Sequence, residues 1–548
     1  MIRFILQAVG LYAFSWGFWY IIRRFIRKTT LDNIPGPPPQ SFTKGNLLQL
    51  HNVNGWAFHK HLSEKYGSVT KLKALFGKDQ LYICDPKAMH HIIVKDQYVY
   101  EETSSFFSFN RLFFGEGLLS TMGDHHRKQR KMLNPVFSIA HMRHMTPIFW
   151  GIAKQLQGTL SNKLKNGPQE VDITHWMVRT ALELIGQSGF GYSFDPLTED
   201  GVPHPYSKAV KQLIPASFKL NLACIYLLPI ASKIGTPRFQ RWVVDMIPWK
   251  AVHDLRDILD VMDSTSSEIL TTKQKALEEG GEALSQQVAG GKDLMSILLR
   301  ANIEASEEER LAEKEILGQI STFTFAAMDT TSGALSRILH VLSTYPDAQR
   351  RLRQEILDAA ADKEEIPYDT LVNLPFLDAV CRETLRLYPP VSMVMRTTRE
   401  DVVLPLGVPV TGVDGREMDE ILVPKDTDII VSILNANCNP EIWGPDSYEW
   451  KPERWLSSLP ESVPAARIPG VYSNLMTFLG GGRACIGFKF SQLEMKVVLA
   501  MLLRSFEFSP SEKEIFWQMS GIAIPVVVGG DPLRASLPMK MTLLDRTD

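Results

Sequence analysis

Near the C-terminal end, Phe478-Leu-Gly-Gly-Gly-Arg-Ala-Cys-Ile-Gly487 sets a single cysteine, Cys485, among glycines, with Arg483 two residues before it and a helical run behind it. Glycines let a backbone pass close to a flat ligand, an arginine offers a fork to an anionic group, and a following helix turns its positive end toward a thiolate. These are conditions for a sulfur bound to iron, because a thiolate must be kept deprotonated and a metal does that. A glycine-rich turn holding a small buried cysteine is the other reading. Upstream, Ala326-Ala-Met-Asp-Thr-Thr331 places Asp329 and Thr330 in a helical stretch. There an acid is costly unless paired, and a threonine bends the helix by bonding back to the carbonyl one turn earlier; distortion without chemistry is the alternative. Glu383 and Arg386 stand three residues apart, a spacing that is most often only a surface pair. Pro452-Glu-Arg-Trp455 supplies a further arginine, Arg454.

These residues need elements to hold them. Apolar positions at three- and four-residue steps predict a helix from about Leu311 to His340, stopping before Tyr345-Pro346 and long enough to cross a whole domain. Leu374-Pro-Phe to Leu387-Tyr-Pro-Pro390 reads as a helix with proline at its start and a proline stop. Gly487 to Arg504 is the helix after the cysteine, and Gly123 to Lys131 opens another with a run of basic residues. Val69 to Ile83 alternates as two short strands about a Phe76-Gly-Lys-Asp79 turn, and Asp85 to Val94 returns to helical spacing. Thr397 to Ile433 reads as short strands around Asp414-Gly415. Phe106, Phe107, Phe109, Phe113 and Phe114 either pack in the core or line a lipophilic pocket. Ile225–Ile230 and Trp242–Trp249, rich in large apolar residues, fit buried packing or a lid that dips into a bilayer. Gly189-Phe-Gly-Tyr-Ser-Phe194 lacks the third glycine and the preceding strand of a dinucleotide fingerprint, which excludes that reading. His141 and His144 share a helical face without a third ligand and read as structural.

The 548 residues are 45% hydrophobic and 22% charged, with a formal net charge of -2, so nothing points to nucleic acid. Five scattered cysteines without a C-x-x-C fit a reducing compartment. Phe4 to Ile22 is an apolar run of about 19 residues, long enough to span a bilayer. Arg23, Arg24, Arg27 and Lys28 follow it, too long and wrongly flanked for a cleaved signal, and leave the rest of the chain in the cytosol. Ile34-Pro-Gly-Pro-Pro-Pro39 is a stiff hinge. The expected organisation is an anchor over 1–33, the hinge over 34–39 and one catalytic domain over 40–548.

Phe478, Gly481, Arg483, Cys485 and Gly487 together match Phe-x-x-Gly-x-Arg-x-Cys-x-Gly, which resembles the haem-ligand loop of the cytochrome P450 superfamily. From about Ile34 onward the other landmarks follow in that family's order. The resemblance implies a mainly α, haem-thiolate fold with small β-sheets and haem b as cofactor, with Cys485 as axial iron ligand. It implies a proton relay by Asp329 and Thr330, propionate contacts from His126, Arg130 and Arg396, and a structural triad of Glu383, Arg386 and Arg454. Arg483 and Gly487 belong to the cofactor loop, and Phe478 packs against the sulfur. His126 stands where many members carry tryptophan, and Ala327 where many carry glycine. Arg127 and Lys131 can face an acidic electron donor. The implied activity is O2-dependent monooxygenation of a lipophilic terpenoid, steroid or aromatic substrate. Electrons come from NADPH through a separate cytochrome P450 reductase, with cytochrome b5 as a second donor, at the endoplasmic reticulum membrane. An oxygen-independent haem-thiolate isomerase or dehydratase, or a membrane-tethered haem sensor, are the rival classes, and neither needs an acid-alcohol pair.

Overall fold

The computed structural model of the protein describes residues 29–201, 204–220, 223–279, 290–361 and 363–544, with 7, 11, 12, 15, 16 and 19 before them and without the side chains of 218, 225 and 226. The expected anchor and its basic flank thus fall, isolated positions apart, outside the described residues. Among the described residues no helix is long and apolar enough to cross a membrane.

The chain forms two compact units whose segments interleave in sequence. The first comprises Met1–Glu101, Ser392–Tyr448 and Pro460–Gly482. Its five-stranded sheet runs in the order Val69–Lys73, Asp79–Ile83, Asp428–Ser432, Met393–Thr398 and Tyr100–Glu101. The expected hairpin is present, with Val69 opposite Ile83 and Phe76 in the left-handed region at φ 52° in its turn. Leu50, Leu62, Leu72, Tyr82 and Ile430 form a buried cluster on this sheet. Within it the Tyr82 hydroxyl bonds both His59 Nδ1 (2.8 Å) and Ser432 Oγ (2.7 Å), so no polar atom of that pair is stranded. The proline hinge lies against this sheet: Lys71 N–H donates to the Pro35 carbonyl (2.9 Å), and a Cβ on Gly36 would sit 1.9 Å from the Lys71 oxygen. Only glycine fits so close an approach. A separate hairpin pairs Val402–Thr411 with Glu417–Val423, turning at Gly415 (φ 82°).

The second unit, Glu102–Val391, Glu449–Leu459 and Arg483–Asp548, is mainly helical. Its main helices are α1 (Ser104–Phe114), α2 (Gly123–Leu133), α3 (Ile139–Lys163), α4 (Ile173–Ile185), α5 (Pro205–Phe218), α6 (Lys250–Glu279), α7 (Glu313–Thr344), α8 (Pro375–Leu387) and α9 (Phe488–Ser505). Helix α7 is its axis, with 32 residues and a length of about 48 Å at 1.5 Å per residue. It begins where the Glu315 carboxylate accepts the Ala312 N–H (2.8 Å) and ends before Tyr345-Pro346, as expected. Helix α8 carries proline at its first turn, and Glu355 accepts the N–H groups of Phe376 and Leu377 (2.8 Å each), so its N-terminal donors are satisfied from a neighbouring helix. Two small sheets complete the unit: Gln169–Asp172, Pro538–Leu543 and Phe506–Pro510 in one, and the hairpin Ile515–Ser520 with Ile522–Val527 in the other. Gly189 to Gly191 follows a helix, which bears out the rejection of a dinucleotide loop.

Candidate active site

Around its middle, α7 is buried on most sides, yet Ala326, Thr330, Gly333, Arg337 and His340 keep accessible surface. Their spacing of four, three, four and three residues draws one stripe along the helix. Thr330 Oγ1 donates to the Ala326 carbonyl (2.8 Å), the back-bond expected of a threonine that loosens its own helix. Beside it, the Asp329 carboxylate has no ion pair or hydrogen bond among the described residues. Burial pushes its acid up to about 7, opposed by the Lys211 charge on α5. An acid so placed takes and gives a proton near neutral pH. On another side of the helix, Thr331 Oγ1 donates to Ser491 Oγ of α9 (3.2 Å). The α1 aromatics divide: Phe107, Phe113 and Phe114 are buried while Phe106 and Phe109 are half-buried, and Phe114 meets Phe325 of α7 at 4.8 Å between centroids.

Two glycines leading into the cysteine loop leave no room for a side chain. In the first unit a Cβ on Gly480 would stand 1.7 Å from the Pro469 oxygen, and one on Gly481 (φ 64°) 2.1 Å from the Ile93 oxygen. In the second unit the Gly487 N–H bonds the Cys485 sulfur and α9 starts one residue later. Cys485 is exposed although protein encloses it, whereas Cys84, Cys224, Cys381 and Cys438 are buried. Burial pushes its thiol up, and the Gly487 N–H and Arg130 pull it down. The protein alone therefore favours the neutral thiol, and a bound cation is what makes this sulfur a thiolate.

Arg130 and His126, one turn apart on α2, face Arg483, and the three repel one another. Burial first, then Arg483 and Arg130, hold His126 down at about 3, so it is a neutral donor. Arg483 donates to the Thr121 carbonyl (2.9 Å) and lies over the Phe107 ring. Arg130 has no ion pair or hydrogen bond among the described residues, and burial lowers its pKa. Half-buried arginine beside a neutral donor histidine is a site for carboxylates that the chain does not itself supply. Within the second unit, accessible sulfur and carboxylate-seeking cations fit an iron porphyrin with acidic side arms. Cys485, Arg130, His126 and Arg483 would hold it, and when bound it would supply the redox chemistry of O2.

Glu383 and Arg386 on α8 are both fully buried and meet in a two-pronged pair (2.9 and 2.8 Å). Arg454 approaches the same carboxylate at 3.4 Å. The sequence reading missed two further donors to it, Trp455 Nε1 (2.9 Å) and the Lys451 N–H (3.1 Å), although Trp455 lies in the same tetrapeptide as Arg454. In the first unit, Arg396 is buried on its strand and donates to the Met395 carbonyl (2.8 Å). Phe478 is buried there too, its ring edge-on to Tyr472 at 5.4 Å. Sequence reasoning did not single out Lys211, whose charge acts on Asp329, or Arg337, half-buried on α7.

The chain is 54% identical over 535 residues to cytochrome P450 monooxygenase 91 of Postia placenta, covering 97% of this chain and 98% of that protein. It is 51% identical to cytochrome P450 monooxygenase 81 of the same fungus, over 96% and 95% of the two chains. It is 45% identical to ganoderic acid synthetase of Ganoderma lucidum, over 96% of each. The family model for cytochrome P450 matches residues 35–525. The chain therefore belongs to the cytochrome P450 family, with haem as its cofactor, and is an oxygen-incorporating oxidoreductase that works with a redox partner on a lipophilic substrate.

Proposed function

We propose that the protein is a membrane-bound haem-thiolate monooxygenase of secondary metabolism that inserts one oxygen atom into a terpenoid, steroid or aromatic skeleton, drawing electrons from NADPH through a separate reductase. The observation that carries the reading is the pairing, within one unit, of an accessible Cys485 with an enclosed acid, Asp329, held near neutral beside Thr330. Cys485 ligates the iron. His126, Arg130 and Arg396 hold the acidic arms of the cofactor, and Arg483 and Gly487 shape its loop. Phe478 shields the sulfur from water. Asp329 takes a proton from the Lys211 side of α7 and passes it to Thr330, whose hydroxyl swings from its back-bond to deliver it. Glu383, Arg386 and Arg454 keep the scaffold rigid.

Leu227, Ile230, Ile234, Trp242, Met246 and Trp249 expose from 46% to 66% of their surface, which supports a lid that touches the bilayer from which a lipophilic substrate partitions. With the apolar run before Arg23 it supports an endoplasmic reticulum location with the catalytic part in the cytosol. Exposed Arg127 and Lys131 support docking of an acidic reductase or cytochrome b5, and their ion pairs with Asp124 (3.9 Å) and Glu309 (3.0 Å) are surface pairs that a partner displaces readily. A relative named for ganoderic acid supports a substrate from specialised metabolism. The test is turnover of a terpenoid, sterol and aromatic panel with reductase, NADPH and labelled O2. A labelled product is expected, and C485S should abolish both it and the long-wavelength Soret band of the reduced carbon monoxide complex; unchanged spectra in C485S would refute the ligand assignment.

A further inference from the structure

Arg337 lies seven residues beyond Thr330 on the accessible stripe of α7, a rise of about 10 Å along the same helix face. Its guanidinium lies against two rings, 3.7 Å from the centroid of Trp517 and 4.3 Å from that of Tyr388. The rings are themselves fixed. Trp517 Nε1 donates to His340 Nδ1 (2.9 Å), and Tyr388 closes α8 just before Pro389 and Pro390. The hairpin that carries Trp517 is docked by the Ala523 N–H on the Pro390 carbonyl (2.8 Å), and its Ala523 oxygen would stand 3.6 Å from a Cβ on Gly333.

Stacking satisfies only the two faces of a guanidinium. Its five N–H groups lie in the guanidinium plane, and contact with a ring face leaves them to find acceptors elsewhere. Among the described residues none of them meets a hydrogen-bond acceptor or a carboxylate, and the nitrogens keep accessible surface inside an enclosed setting. Burial lowers the Arg337 pKa to about 9, the mark of a charge that has lost water without gaining an anion, and it holds neighbouring His340 near 4 and so neutral. A methionine or leucine would pack against the rings without that cost.

We propose that Arg337 anchors a carboxylate carried by the substrate, so that this enzyme takes lipophilic carboxylic acids and lays them along α7 with the carbon to be oxidised near Thr330. This rests on the monooxygenase reading, because it takes the accessible stripe as a wall of the substrate chamber. The planar edge of the guanidinium accepts a carboxylate in two parallel hydrogen bonds, which neither an ester nor an alcohol reproduces. The bond oxidised then lies about 10 Å from the acid group, the spacing of seven helical residues.

The experiment compares dodecanoic, hexadecanoic and abietic acids with their methyl esters on the holoprotein, by equilibrium dialysis and by the Soret shift. At least one acid should bind on the order of tenfold more tightly than its ester. R337Q should bring acid affinity down to that of the ester and leave ester binding unchanged; R337K, which keeps the charge but not the fork, should retain part of the preference and all of the haem. No acid preferred over its ester in the unaltered protein, or a preference that survives in R337Q, would overturn the proposal, and should R337Q lose haem a full preference in R337K would do the same. Failure of the monooxygenase reading shows instead as missing labelled product and is separable from ligand binding.

Discussion

Two carboxylates of the same unit have opposite surroundings. Glu383 receives Arg386 twice, Arg454, Trp455 and a backbone N–H, and is fully enclosed. Asp329 has no such partner among the described residues, keeps accessible surface, and holds its proton up to about pH 7. A saturated acid is held in one charge state, whereas an acid without partners can change charge near neutral pH. Glu494 of α9 marks a third case: fully buried, both oxygens without a hydrogen-bond partner among the described residues, its pKa raised well above normal by burial, and hence neutral. Partner count and accessibility separate the three.

The sharpest way to break this contrast is to remove the charge from the saturated acid. E383Q strands two buried arginines and should cost about 3–5 kcal/mol, the usual penalty for breaking a buried pair, so little folded holoprotein should accumulate in a carbon monoxide difference spectrum. A normal yield of holoprotein would show that the network is dispensable. D329N should do the reverse: haem content stays, while substrate oxidation falls by about 100-fold, the scale of losing a positioned proton donor, with a changed solvent isotope effect on turnover. T330A should be milder, with NADPH still consumed but product falling about tenfold in favour of hydrogen peroxide; tightly coupled product formation would remove Thr330 from the relay.

The smallest effect concerns stability against pH. The folded state raises the Asp329 pKa from 3.8 to about 7, so between those values it binds a proton that the unfolded chain has released. Stability from this group is therefore highest below pH 4 and declines as pH rises toward 7, with no further loss above that. Urea unfolding of the unaltered protein and D329N should show a shallower decline for the variant across that window. Parallel curves would mean that Asp329 is ionised throughout.

Local pattern served where the physics is local. The turn at Phe76, the proline that opens α8, the stop of α7 before Tyr345-Pro346 and the glycine loop around Cys485 all follow from backbone preferences within a few residues, and each is found where its residues stand. The Glu383-x-x-Arg386 pair was visible for the same reason, being neighbours on one face of one helical turn. Sheet order was not visible: Asp428–Ser432 sits parallel to Asp79–Ile83, some 350 residues away in sequence, because hydrogen bonding between strands ignores chain distance. Trp455 and Lys451 were unseen as partners of Glu383 because only the folded loop brings them to its carboxylate.

The type and spacing of Phe478, Gly481, Arg483, Cys485 and Gly487, the acid and alcohol at 329 and 330, and the punctuation of the helices were settled by the chain itself, since a motif's chemistry resides in neighbouring side chains. Which charges are neutralised and which are left wanting was decided by tertiary structure alone. Arg337 stands in the sequence as an ordinary helical cation, and only its enclosure, among described residues that offer its nitrogens no acceptor, makes it a charge in want of a partner.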